Sequence, residues 1–245
     1  MDNKLQILYA QSNDHVSQIH HLFRQEAIAM QNLGILVDIK VLPEATRLIY
    51  RGFMIKRENL YPKDGRLIQG FNEYINCLYL SNYYPLISDI SIDTFFVNNL
   101  DDKLSGLIDK QGWKRAFIKK DSIALEHIEE GKSVWPDTSM EEMKTLFDEM
   151  DIDGKFAIRK YIEPEIIERE ERYWVLNGNI YHRHNKIPGV VQEAARRLNK
   201  LGSRYYTIDA TPEFVVEVNP GESSDRHAVN SAELFASWIK KEFAS

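Results

Sequence analysis

Two strand-like runs joined by a turn at Pro212 span Tyr205–Gly221, and a pairing of that kind commits the end of the chain to an antiparallel sheet. The second run ends in Glu217-Val218-Asn219. Successive strand side chains point to opposite faces, so Glu217 and Asn219 share one face while Val216 and Val218 take the other. Asp209, on the neighbouring run, is placed to join them. Alternation alone leaves two readings open. Polar residues often line the solvated face of a sheet. Two carboxylates and an amide also offer the hard oxygen ligands that magnesium takes alongside water and nucleotide phosphates. The following loop, Pro220-Gly221-Glu222-Ser223-Ser224-Asp225, is dense in acceptors. Ligands gather at strand ends and on the loops after them, which favours the second reading.

With 245 residues, 43% hydrophobic and 11% aromatic, the chain can build one or two domains around real cores. Its single cysteine, Cys77, can form neither an internal disulfide nor a zinc cluster. That points to a reducing, cytoplasmic setting and to a buried thiol rather than a nucleophile. No run approaches the roughly 18 apolar residues of a membrane helix, so no membrane is expected. Leu5 to Ala10 reads as a first strand and not as a signal peptide. A net charge of −6 argues against broad nucleic-acid binding through phosphates.

Along the chain, Asn13-Asp14 can cap a helix over 15–32, where Val16, Ile19, Leu22, Phe23, Ala27 and Met30 form an apolar stripe that Gly34 stops. Strands follow at 35–39 and 47–51, a β-α-β-like opening that predicts a small α/β domain. Helices are predicted over 69–80 and 94–107. A boundary near 112 divides an N-terminal domain, 1–111, from the remainder, 112–245. The later part alternates a strand at 115–120, a charged stretch over 126–132, a helix over 139–150 with a capping-box spacing from Ser139 to Glu142, and strands at 156–162 and 172–176. Asp151-Ile152-Asp153-Gly154 reads as a turn, lacking the other ligand positions of a calcium loop. Asn177-Gly178 marks a hairpin turn, Gly202 stops a helix over 190–201, and a last amphipathic helix covers 228–243.

In order and spacing, four pieces resemble the ATP-grasp superfamily, most of all the small clade named for one arginine and two lysines. They are Phe117-Ile118-Lys119, Lys160-Tyr161-Ile162-Glu163, Glu170-Glu171-Arg172-Tyr173-Trp174-Val175-Leu176-Asn177-Gly178, and Asp209 with Glu217-Val218-Asn219-Pro220. The resemblance covers residues 112–243 well and the first part in outline. It implies a mixed α/β and α+β fold, with a small pre-ATP-grasp-like α/β domain before a two-lobed ATP-grasp fold that holds a nucleotide between its lobes. It also implies ATP and Mg2+. Lys119 and Lys160 would reach the phosphates and the adenine side, the backbone near Ile162 would bond adenine, and Glu168 or Glu170 would hold ribose. Asp209, Glu217 and Asn219 would bind the magnesium. Arg172 has the planar fork suited to a phosphate or carboxylate, and Arg183 would add a second.

The activity so implied is a carboxylate–amine ligase working through an acylphosphate, with small-molecule, peptide or protein carboxylates and amines as substrates. The alternatives are a phosphotransferase to a hydroxyl and a nucleotide-binding regulatory module. Residues 121–132 contain only Gly131, where many such enzymes carry a glycine-rich loop. His182 and His184 alternate on a strand, as metal ligands or as a polar face. His20-His21 are read as non-catalytic helix residues, His227 as a candidate substrate contact, and Arg51-Gly52 as a candidate anchor for an acceptor carboxylate. A homodimer is compatible with the sequence, and no feature requires one.

Overall fold

The computed structural model describes residues 4–11, 18–101, 103–124, 132–149, 154–184, 186–226 and 230–244. The Asn13-Asp14 cap, the charged stretch over 126–131, Asp151 to Asp153 and His227 lie outside them. The chain opens with β1 (Leu5–Tyr9), α1 (Arg24–Asn32), β2 (Leu36–Asp38) and β3 (Arg47–Arg51), and the strands form a parallel sheet in the order β2-β1-β3. α1 begins later than the apolar stripe predicts. Residues 21–23 form a 3-10 turn, with His20 Nδ1 accepting from Leu22 N, so His20 and His21 precede the α-helix. β2 stops at Asp38 because its carboxylate caps the next two backbone N–H groups.

Next come α2 (Phe71–Leu78), α3 (Leu80–Ile87), which the sequence reading does not contain, and β4 (Thr94–Val97). The helix predicted over 94–107 is therefore corrected to a strand followed by α4 (Lys103–Lys110). Thr94, Phe95, Phe96 and Val97 are β-branched or aromatic and favour the pleated surface. Asp101 then caps the new helix through Lys103 N at 3.0 Å. β4 enters an antiparallel sheet with β5 (Ala116–Lys120), β6 (Ile123–Ala124), β7 (Val134–Trp135) and, after α5 (Met140–Glu149), β8 (Phe156–Lys160). A core of Leu104, Ile108, Ile118, Met143, Phe147 and Ile158 closes this lobe.

The short α6 (Pro164–Ile167) leads to β9 (Glu171–Leu176), β10 (Asn179–Tyr181), α7 (Gly189–Leu198), β11 (Tyr205–Ala210), β12 (Val215–Pro220) and α8 (Ala232–Phe243). These strands make a second antiparallel sheet, β10-β9-β11-β12. Its turn at Asn177-Gly178 has φ of 50° and 85°, the left-handed pair that a two-residue hairpin requires. One face packs Tyr206, Ile208, Val218 and Tyr173 against α7 and α3. The other joins Trp174, Leu176 and Tyr205 to α8 and to the parallel sheet in one core. Cys77 is fully buried, and burial pushes its thiol up to about 12, so it packs as a small hydrophobe. Among the described residues no helix is long and apolar enough to cross a membrane.

Arg51 fastens the parallel sheet to the loop after β12. It is 1% exposed. Nε and Nη2 form a fork on Glu26 at 2.8 and 2.7 Å, and Nη1 donates to the carbonyls of Gly221 and Ser224 at 2.7 and 2.6 Å. Tyr9 donates to the same Glu26 at 2.9 Å. Phe23, Trp174 and Phe235 surround the guanidinium with rings 5.4–5.6 Å away. Burial opposes its charge, and Glu26 more than offsets that, so Arg51 stays cationic. Every arm of Arg51 is committed to the fold, which corrects the expectation that it anchors an acceptor. Removing one partner of a buried ion pair strands the other, so Arg51→Met should cost about 3–5 kcal/mol in urea denaturation. Adding Glu26→Leu should recover part of that loss. A single variant within about 0.5 kcal/mol of the parent would show that the clamp is dispensable.

Candidate active site

Antiparallel pairing sets the site. Asp209 on β11 lies directly opposite Glu217 on β12 and opposite Arg172 on β9, so the three side chains emerge in a row from one sheet face. A bulge after this pair leaves Val216 as an extra residue. Asn219 Nδ2 donates to Asp209 Oδ2 and to Glu217 Oε2, each at 3.2 Å. Arg172 forks onto Asp209 with two bonds of 2.7 Å and reaches Asp225 Oδ1 at 2.8 Å. The structure thus brings four of the expected residues into one bonded cluster.

The facing sheet adds two cations. Lys119, 4% exposed on β5, pairs with Glu217 Oε1. Arg159 on β8 donates to the Val216 carbonyl at 2.7 Å and is also 4% exposed. Lys119 pairs with Ala157 in register, and Arg159 lies two residues further along β8, so Lys119 and Arg159 share a face. Lys160 falls on the other face and is exposed. Ile162 is half-buried in the connector after β8, and Glu168 is exposed at the end of α6. Arg183 reaches Glu171 at 3.5 Å and, among the described residues, makes no bond into the acid cluster.

The carboxylates diverge in acidity. Burial would raise Glu217, but Lys119, assisted by Arg159 and the Asn219 amide, brings it down to about 2. Glu170 is pushed up to about 7 by burial and by the charges of Asp209 and Glu217. Burial opposes charge on Arg172 as well, and its bonds to Asp209 outweigh that and hold the guanidinium cationic.

Behind the cluster, the loop packs by close approach. A Cβ at Gly221 would stand 2.8 Å from the Tyr205 ring. Glu222 is buried, with Gln69 Nε2 at 2.9 Å and Tyr61 hydroxyl at 3.2 Å on its Oε1. Burial pushes its carboxyl up to about 8 despite these donors and Arg51. The sequence reading missed Arg159, Asp225 as an Arg172 partner, and this Glu222 network. The first depends on the register of β8 against β5, which no local pattern carries. His182 and His184 do not make a metal centre: His182 Nδ1 accepts from His184 N at 3.2 Å, the His182 ring is buried, and its nearest acid is Glu171 at 3.7 Å. Among the described residues no group of three or more His, Cys, Asp or Glu is placed to hold a metal. Asp209, Glu217 and Asn219 supply two carboxylates and an amide, which suits an ion that takes its other ligands from phosphate and water.

Solved structures share this arrangement of sheets. The ATP-grasp ligase PsnB, complexed with a minimal precursor, Mg and ADP, aligns with a TM-score of 0.59 over 100% of both chains at 9% identity. The RimK domain ATP-grasp protein of Sphaerobacter thermophilus aligns at 0.59, covering 96% of this chain and 98% of its own, at 14% identity. The fold is that of the ATP-grasp proteins. The D-alanine-D-alanine ligase of Coxiella burnetii has it too, with a TM-score of 0.62, 12% identity and coverage of 98% and 95%. No protein-family model and no curated protein sequence matches the chain.

Lys119→Met should leave Glu217 uncompensated and destabilise the protein at pH 7 by about 2–3 kcal/mol, below a fully buried pair because Glu217 is partly open. Glu217 is depressed from 4.5 to about 2, so its contribution is complete above pH 4.5 and fades as pH falls towards 2. The gap between variant and parent should close over that window, and a gap independent of pH would contradict the pairing. Glu222 runs the other way. Its raised carboxyl makes stability fall between pH 4.5 and about 8, and Glu222→Gln should flatten that fall in pH-dependent thermal unfolding.

Proposed function

We propose that this chain is an ATP- and magnesium-dependent ligase that joins a carboxylate to an amine. One observation carries the reading: Arg172, Asp209 and Glu217 stand in a row across three paired strands, with Asn219 bonded to both acids and Lys119 reaching Glu217 from the facing sheet. Asp209, Glu217 and Asn219 would hold the magnesium, which when bound supplies neutralisation of phosphate charge. Lys119 and Arg159 lie where the γ-phosphate end of a nucleotide between the sheets would meet them. Ile162, with Lys160 near it, would border the adenine. Glu168, exposed beyond α6, or Glu170, half-buried before β9, would hold ribose.

The chemistry follows from placement. A substrate carboxylate oxygen attacks the γ-phosphorus as its bond to the ADP oxygen breaks, and ADP leaves with that electron pair. The amine lone pair then attacks the acyl carbon, phosphate departs, and the amine loses a proton. Positioning and charge neutralisation provide the rate, and the arginine and lysine donors supply both. Arg172 suits the oxygen that gains charge in the acyl step, since Asp209 fixes its fork and Asp225 holds its outer arm. That the ligases of shared fold include one solved with a minimal precursor and a D-alanine-D-alanine ligase is in keeping with a small carboxylate or a peptide as substrate.

Glu217→Gln should reduce ADP formation from ATP, magnesium and pooled amino acids or peptides by about 100-fold or more, while nucleotide affinity falls far less. Unchanged ADP formation would sink the assignment of the metal ligands. ADP released with phosphate only when both a carboxylate and an amine are present would separate a ligase from a phosphotransferase.

A further inference from the structure

Beside the loop after β12 lies a cavity of about 350 Å³ that none of the residues assigned above explains. Leu22, Phe23 and Phe53 form its apolar wall, and Asp225 and Arg226 stand on its other side. We propose that it takes the apolar side chain of the carboxylate substrate, a group of phenyl or isobutyl size. This rests on the ligase reading and narrows it to a substrate class.

Three observations favour such an occupant. The cavity lies at the lower end of the range of ligand pockets, roughly 300–1,000 Å³, and an apolar cavity of about 150 Å³ already accepts benzene. It therefore has room for a ring and a carboxylate, and too little for a second nucleotide. Leu22 and Phe53 are 64% and 44% exposed and sit together. Phe23 packs on Phe53 with centroids 5.7 Å apart, and His20 meets Phe53 edge-on at 4.8 Å. Single exposed apolar residues need no explanation, but a preassembled aromatic wall beside a cavity marks a binding surface.

The charges at the other side then set orientation. Glu26 and Arg51 neutralise each other at the cavity floor, so they offer no net charge to a ligand. Arg226 donates through Nη1 to the Asn230 carbonyl at 2.6 Å and has Nε 3.8 Å from Glu26, while its Nη2 makes no hydrogen bond among the described residues. One guanidinium arm is thus left for a ligand carboxylate. Asp225 is bonded to Arg172, which in turn grips Asp209. A molecule with its apolar body against Phe53 and its carboxylate drawn to Arg226 would lie next to the acid cluster. The wall of Leu22, Phe23 and Phe53 offers no partner to a second charge, so an acidic side chain is disfavoured.

Calorimetry with 3-phenylpropionate and with succinate, each with and without Mg·ADP, tests this without requiring turnover. The wild-type protein should bind 3-phenylpropionate at least about tenfold more tightly than succinate, the scale that a lost apolar contact sets. Phe53→Asp and Leu22→Asp, both at exposed positions, should weaken 3-phenylpropionate by a similar factor and leave Mg·ADP affinity unchanged. Equal affinity for the two acids, unaltered binding in both variants, or no binding of 3-phenylpropionate in either condition would overturn the proposal. Failure of the wild type to bind Mg·ADP would instead strike the nucleotide reading, and the preference between the two acids would still be read without it.

Discussion

The buried fork of Arg51 on Glu26 is the interaction on which the rest depends. A guanidinium in the interior is tolerable only if every charged arm is met, and here Glu26 meets two while the carbonyls of Gly221 and Ser224 meet the third. Those carbonyls belong to the loop that begins where β12 ends. The parallel sheet therefore fixes the position of the segment carrying Asp225, and Asp225 fixes the outer arm of Arg172. An ion pair in one part of the chain orients the cluster in another.

The cluster follows a second rule: acids come from one sheet and cations largely from the other. Asp209, Glu217 and Glu170 would repel one another if they stood alone, and burial together with that repulsion raises Glu170 to about 7. Lys119 and Arg159 reach across from β5 and β8 and draw Glu217 down. The bulge at Val216 assists by turning a carbonyl towards Arg159. Under the proposed function, cations held at the same point by fixed strands would meet phosphate with no rearrangement of the sheet when charge develops. The close fit of Gly221 on the Tyr205 ring keeps the loop seated against this face.

Much of this was legible where it depended on local pattern. The period of two along β11 and β12 placed Asp209, Glu217 and Asn219 on a common face, and the ladder put them there. The Asn177-Gly178 turn and the bounds of β3 were equally local. What failed depended on distant register. Arg159 and Lys160 are adjacent and equally basic in sequence, and only the pairing of β8 with β5 decides which one faces the acids. The partners of Arg51 lie 25 residues away at Glu26 and 170 or more at the carbonyls of Gly221 and Ser224, so its alternation on β3 could not reveal them. The helix expected over 94–107 joined a real helix to a strand, because Leu100, Leu104 and Leu107 continue an apolar spacing past the β-prone start. The limited stripe before α1 misled in the same way: residues 21–23 make a tighter turn, and the cap that begins it is His20.

The central claim is that the row of Arg172, Asp209 and Glu217, faced by Lys119, is the seat of a nucleotide's magnesium and phosphates. A crystal structure with magnesium and a non-hydrolysable ATP analogue tests it most directly. The account predicts the metal on Asp209, Glu217 and Asn219 and Lys119 turned from Glu217 to a phosphate oxygen, with the nucleotide between the two antiparallel sheets. A nucleotide bound elsewhere, or bound there with Lys119 still on Glu217 and no metal on that strand, would contradict it.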